Sequence, residues 1–210
     1  MDSRSAPPSA PLLEEVRPAA HAPGMGSEPK RPATYEDLET VPPNRVGEIV
    51  DGELYVSPRP ASPHANAAGI LFGLLFPPFR RGGGRPGGWL LLFEPELHLS
   101  GNALVPDIAG WRRERMPVMP RVAAFTLAPD WVCEVLSPST AVLDREKKMR
   151  AYAREGVHHL WLVDPLQQAL EVYWLEGLRW KPQGTWSGES VVRAEPFEAL
   201  ELKLGELWEL

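Results

Sequence analysis

The chain has 210 residues, 43% of them hydrophobic and 24% charged, the balance of a globular protein with one sizeable core. A net charge of -6 excludes a protein that coats nucleic acid through one broad basic face, though not a local contact. No run of about 18 apolar residues is present, and the single cysteine, Cys133, excludes a disulfide framework and a multi-cysteine zinc site.

The start of the chain lacks the basic and apolar regions of a secretory leader, so a reducing cytoplasm is the expected location. Residues 1–32 are rich in proline, alanine and serine without any period, and are expected to be a disordered tail. Leu12, Leu13 and Val16 are its one apolar patch. The folded domain is expected over 33–210. Thr34 and Asp37 have capping-box spacing, which predicts a short helix closed by Pro42 and Pro43. VGEIVDGELYVS alternates about Asp51-Gly52, a strong hairpin signal. Apolar spacing predicts a helix over 63–76 that Pro77 and Pro78 stop. RRGGGRPGG is a loop. GWLLLFEPELHLS and NALVPDIAGW each read as one strand, and residues 112–125 as an irregular surface loop with a turn of helix.

WVCEVL is a further strand, followed by a helix over 143–155 that Gly156 caps and by the strand HHLWLVDP. Strand, helix, strand implies a parallel pair with a right-handed crossover. LEVYWLEGLRWKP reads as a hairpin turning at Glu176-Gly177, and ALELKLGELWEL as a last strand. The expected fold is α/β (α+β): a mixed β-sheet with flanking helices and an N-terminal β-hairpin.

Two carboxylates stand inside apolar runs, where an unpaired charge costs several kcal/mol. Glu134 interrupts WVCEVL near the C-terminal end of its strand, where α/β sheets place ligands. Asp107 follows Pro106 in LVPDIAGW. Two acids converging at one rim suit a hard divalent cation such as Mg²⁺, which takes one or two carboxylates and several waters. Lys148 lies on the helix after Glu134, in line with Asp144 and Tyr152 at i, i+4, whereas Lys147 turns away. Glu48 is a third carboxylate within an apolar strand.

The ordered set Pro106-Asp107, Glu134 to Thr140, Asp144 to Val157 and Leu160 to Pro165 resembles the Uma-two family of restriction endonuclease-like proteins, within the PD-(D/E)XK nuclease superfamily. Glu48 to Gly52 and His64 also fit. The likeness runs from about residue 33 to the end. It implies a restriction-endonuclease-like core and an endonuclease that hydrolyses phosphodiester bonds in DNA with Mg²⁺ or Mn²⁺. Asp107 and Glu134 would be metal ligands with the carbonyl of Val135, and Glu48 an accessory acid. The superfamily's lysine usually stands two residues after the second acid. That position is Leu136 here, and the lysine is displaced to Lys148.

Plainer readings stand beside these. Asp107 and Glu134 could be structural acids paired with arginines, Lys148 a solvated residue of a charge run, and Glu48 a hairpin partner. His64 could be a helix-terminus residue, His158 and His159 edge residues, and Asp164 a turn residue. The basic candidates for phosphate contact are Arg80, Arg81 and Arg85, and Arg112, Arg113 and Arg115 after the Asp107 strand, or else these are solvated arginines. The tryptophans at 161, 174, 180 and 186 suggest a core or a homodimer surface. A catalytically silent protein of the same fold, binding nucleic acid or a protein partner, is the alternative to the nuclease.

Overall fold

A computed structural model describes residues 17–18, 31–81 and 88–209. The elements in chain order are β1 (Arg17–Pro18), α1 (Tyr35–Glu39), β2 (Arg45–Val50), β3 (Glu53–Pro58), α2 (Ser62–Leu75), β4 (Trp89–Phe93), β5 (Glu96–Leu99), β6 (Asn102–Leu104) and β7 (Ile108–Arg112). Then come β8 (Ala124–Phe125), β9 (Trp131–Val135), α3 (Met149–Arg154), β10 (His159–Asp164), β11 (Ala169–Glu176), β12 (Arg179–Ser187), β13 (Val191–Val192), β14 (Leu202–Lys203) and α4 (Gly205–Trp208). Two π-wound segments join them, Phe76–Arg81 after α2 and Leu143–Lys148 before α3.

The mixed α/β class is as expected, but the strands form two six-stranded sheets. One has the order β1-β3-β2-β6-β5-β8 and the other β12-β11-β10-β9-β7-β4, with β13-β14 as a separate pair. The two long strands read from GWLLLFEPELHLS and NALVPDIAGW are each split between the sheets. Glu94 takes φ +46 and Pro95 comes next, so the chain leaves β4 for β5. Pro106 supplies no N–H, so the ladder ends after β6 and resumes at β7 in the other sheet. Asp107 therefore stands at the junction before β7, not within a strand.

The central strands of the second sheet, β7, β9 and β10, are buried on both faces. On one face Trp131, Cys133, Trp161 and Phe197 pack with Leu71 and Leu75 of α2. On the other Val132, Leu160, Leu162 and Trp111 pack against Leu97 and Leu104 of the first sheet and against Tyr152. Side chains alternate along a strand, so Glu134, one residue from Cys133, points into the space between the sheets. β9 and β10 are parallel, with Glu134 beside Leu162. The predicted parallel pair, joined through α3, is thus present.

Several local expectations are met. Asp51 and Gly52 both take positive φ, +52 and +76, the type I′ geometry of a two-residue hairpin. Thr34 N–H donates to Asp37 Oδ2 at 2.7 Å at the head of α1. Gly156, at φ +71, ends α3. Cys133 is a buried free thiol.

Others are corrected. Pro77 and Pro78 do not stop the helix after α2. The chain widens into a π turn through Arg81, which accommodates residues without an N–H. The β11–β12 turn is Gly177-Leu178, because Glu176 pairs with Arg179. The last segment gives only two residues of strand before α4, with Leu202, Leu204 and Leu207 buried against the core. The loop before β8 has turns but no helix. Leu12, Leu13 and Val16, and most of the expected tail, lie outside the described residues, though Arg17–Pro18 pairs with β3. Arg85 and most of the glycine loop also lie outside. Among the described residues no helix is long and apolar enough to cross a membrane.

Candidate active site

Three of the residues named from the sequence, Glu48, Glu134 and Lys148, meet in one buried place, with the half-buried Asp107 beside Glu134. Lys148 is only 2% exposed, so the solvated reading of it fails. Its Nζ lies 2.9 Å from the Glu134 carboxylate, 3.0 Å from Glu48 Oε1 and 3.5 Å from Asp144 Oδ1. It also donates to the Val105 carbonyl at 3.3 Å. Glu134 is likewise 2% exposed and accepts from the Tyr152 hydroxyl at 2.6 Å. Neither Asp107 nor Glu134 is matched with an arginine among the described residues.

The elements explain the convergence. Before α3 the helix is π-wound, and Met149 N–H bonds to Asp144 O, a five-residue step. This winding keeps Asp144, Lys148 and Tyr152 turned inward together, all three fully or almost fully buried. Such local widening recurs at functional sites. Glu48 comes from β2 of the first sheet, and its Oε1 accepts Val105 N–H at 2.7 Å. Val105 is thereby held by Glu48 and Lys148 from either side of the residue, which fixes the junction that presents Asp107.

Asp107 lies where the β7–β9 register, Ile108 opposite Cys133, brings it beside Glu134. Its Oδ2 accepts Val135 N–H at 2.7 Å. Its Oδ1 is 3.2 Å from His64 Nε2, at the first turn of α2. His64 Nδ1 is buried without a partner among the described residues.

The electrostatics come from crowding. Three carboxylates, Glu48, Glu134 and Asp144, surround one ammonium, and a fourth, Asp107, stands beside Glu134. Burial, then the neighbouring carboxylates, raise Glu134 well above the usual carboxylate range despite Lys148. Asp144 is pushed up to about 6 by the same causes. Burial would lower Lys148, but Glu134 and Glu48 outweigh it and hold the ammonium well above its ordinary range. For His64 burial is likewise outweighed by Asp107, and the imidazole is raised.

This donor set fits a divalent cation in charge and hardness. Oxygen ligands predominate, and more negative charge is gathered than Lys148 can balance. Among the described residues no three His, Cys, Asp or Glu side chains are arranged as a ready metal cage. Mg²⁺ needs no such cage, since one or two carboxylates and waters suffice.

Sequence reasoning left Asp144 as a mere helix neighbour of Lys148, although D-x-x-x-K spacing placed it on the inward face. It gave Val105 no part. Arg112 and Arg115, candidates for phosphate contact, do not touch the acids. Arg112 ends β7 five residues from Asp107, about 17 Å away along the strand. Arg115 pairs with Asp130 at 2.9 Å. Asp164 is a turn residue, its Oδ1 accepting Leu166 and Gln167 N–H.

The profile of the Uma2 family, described as "Putative restriction endonuclease", matches residues 32–205. The chain belongs to the Uma2 family. Its fold is also that of a solved structure from Anabaena variabilis, reported as "a putative nuclease belonging to DUF820". The TM-score is 0.68 at 21% identity, covering 84% of this chain and 98% of that one. Comparison with curated proteins gives no match. For this Uma2 protein the ordered acids and the displaced lysine, spread over four elements in sequence, are one cluster in space.

Proposed function

We propose that this Uma2 protein is a metal-dependent nuclease that hydrolyses phosphodiester bonds in DNA, with Mg²⁺ or Mn²⁺ as its metal. One observation carries the reading: carboxylates from β2, β9 and the π-wound turn before α3 are gathered about a single buried lysine, with Asp107 of the β6–β7 junction beside Glu134. Structural acids do not need to be so crowded, because each added carboxylate raises the cost of ionising the others. The family description and the nuclease fold of the Anabaena protein support the same reaction class.

Asp107 and Glu134 would hold the cation, with the Val135 carbonyl as a third oxygen. When bound, the cation would stabilise charge on the phosphate and lower the pKa of a water. Lys148 keeps its proton under these surroundings and would act as a fixed positive charge toward the phosphate. Its contacts to Glu134, Glu48, Asp144 and Val105 replace the mobility of an ordinary lysine with a defined position. Glu48 holds that ammonium and the Val105 peptide together, and so acts as a positioning acid. His64 orients Asp107 through Oδ1 while Val135 N–H fixes Oδ2.

The test uses supercoiled plasmid and single-stranded DNA with the wild type, Glu134→Gln and Asp107→Asn, in Mg²⁺, Mn²⁺ or EDTA. Metal-dependent cutting by the wild type and its loss in both folded variants is the expected result. Cutting that survives in both variants would refute the assignment.

A second reading is favoured by a specific observation. The carboxylates of the cluster are already engaged, and no three candidate ligands stand in a metal geometry among the described residues. A catalytically silent protein with the same fold, binding nucleic acid or a protein partner, would look like this. DNA binding without turnover in any metal would select it.

A further inference from the structure

At the opposite end of the second sheet, β9 and β10 begin side by side, with His159 beside Trp131 and Trp174 of β11 beside His159. The chain at Glu195–Glu198 folds over this row and leaves a pocket of about 550 Å³, the size that small ligands occupy. Glu134 is three residues further along β9 and points to the other face. The pocket is therefore separate from the carboxylate cluster, and its occupancy by a ligand does not rest on the nuclease reading.

Three groups of the wall bear on what it could hold. His159 Nδ1 is buried with no hydrogen-bond partner among the described residues, and such groups ordinarily have one. Burial, then Arg112 and His158, push this imidazole down to about 4, so it is neutral at physiological pH and offers a donor at one nitrogen and an acceptor at the other. Trp174 lines the pocket and is 43% exposed. Arg112 is exposed and stacks 4.6 Å from the Trp89 ring. No carboxylate lies within 4 Å of its guanidinium among the described residues. Asp130, the acid next to it, is occupied: Oδ2 accepts the Arg112 backbone N–H at 2.8 Å and Oδ1 meets Arg115. Arg113 adds positive charge nearby, its guanidinium donating to the Arg80 carbonyl at 3.4 Å.

A ligand that satisfies these groups has a flat ring for Trp174, a hydrogen-bonding edge for His159 and an anion for Arg112. The acids Glu195 and Glu198 accept only, so they suit an amino-bearing edge and repel the anion, which leaves it at the arginine rim. We propose that this pocket binds a nucleoside monophosphate carrying an amino-bearing base, either free or as one residue of a single strand. Base on indole is a stacking contact of the kind that holds single-stranded nucleic acid, and guanidinium on phosphate is a charge-assisted pair.

The experiment is isothermal titration calorimetry of the full chain with AMP, adenosine and a five-nucleotide oligo(dA), checked by quenching of tryptophan fluorescence. Variants are Arg112→Ala, Trp174→Ala and His159→Phe, with folding verified by circular dichroism. Saturable binding of AMP is expected, weakened about tenfold or more for adenosine and for Arg112→Ala, as for loss of a charge-assisted hydrogen bond. Binding of both AMP and the oligonucleotide supports a free-nucleotide site. Binding of the oligonucleotide alone, still sensitive to Arg112→Ala and Trp174→Ala, supports a strand site. No binding of either at millimolar concentration overturns the proposal, as does binding that none of the three variants weakens. Glu134→Gln, at the far end of the sheet, should bind AMP as the wild type does.

Discussion

Lys148 and Glu134, fourteen residues apart, form a buried ion pair at 2.9 Å in which neither partner is more than 2% exposed. Burying two charges costs more than their attraction alone returns unless further hydrogen bonds complete the site. Here Tyr152, Val105, Glu48 and Asp144 do so. Removing the ammonium leaves three carboxylates without their one lysine. Lys148→Met is therefore expected to destabilise the fold by about 3 kcal/mol or more at pH 7. The loss should shrink when Glu134→Gln is added, because one of the stranded charges is gone. A urea-denaturation double-mutant cycle measures that coupling. Additive effects would show that the pair is not energetically linked.

Tyr152 offers a cleaner probe of the same carboxylate. Tyr152→Phe keeps the ring in its core position and deletes only the hydroxyl that donates to Glu134. Leaving a charged acceptor short of one donor costs about 1–3 kcal/mol. A melting temperature lowered by several degrees is expected, with the far-UV spectrum unchanged. If Glu134 serves the proposed chemistry, metal-dependent cleavage should also slow, since the carboxylate is no longer held from that side. A melting temperature equal to that of the wild type would mean that the hydroxyl contributes nothing to holding Glu134.

The residues of this site were legible in the sequence to the extent that charge in an apolar run is costly. Glu134 and Asp107 stood out on that ground, and Lys148 on helical phase. Lys148 and Tyr152 remain on the inward side although the first half of the helix is π-wound. Asp144 was harder to assign, since an acid four residues before a lysine is common on solvated helices. Two sheets rather than one could not be read, because Glu94-Pro95 and Val105-Pro106 interrupt apolar runs without marking which sheet the chain joins next. Pairing partners are a property of the whole chain. For a related reason Arg112, five residues after Asp107, stands well away from it: each residue along a strand adds about 3.3 Å.

Asp144 gives a pH dependence whose sign is fixed by its surroundings. Burial and the nearby Glu48 and Asp107 raise it to about 6, above its ordinary 3.8. Between about 4 and 6 the folded protein thus holds a proton on this group that the unfolded chain has released. Stability from this group is present below that window and is lost as pH rises through it. His159, lowered to about 4, acts in the opposite sense, so the wild-type curve mixes the two. The difference between wild type and Asp144→Asn removes the His159 contribution. Asn should be more favourable relative to Asp at pH 7 than at pH 4, read from melting temperatures across that range. A difference that is flat with pH would show that Asp144 is not held in its protonated form.

The crowding of carboxylates also predicts how the folded state responds to metal before any substrate is present. A cation that binds the native site and not the unfolded chain stabilises by RT ln(1 + [L]/Kd), about 2.7 kcal/mol at one hundred times Kd. Mg²⁺ or Mn²⁺ should therefore raise the melting temperature of the wild type in a concentration-dependent way, with EDTA reversing it. Glu134→Gln and Asp107→Asn should each abolish most of the rise. Asp144→Asn should weaken it less, because Asp144 supplies charge near the site and is not assigned as a ligand. Na⁺ at equal ionic strength is the control, since general screening of the clustered like charges would raise stability without preference for divalent ions. A rise that is the same for Na⁺ and Mg²⁺, or that survives in both variants, would remove the metal from the proposed function and leave the silent reading of the fold. A rise lost in both variants but without DNA cleavage would keep the metal site and turn attention to the substrate.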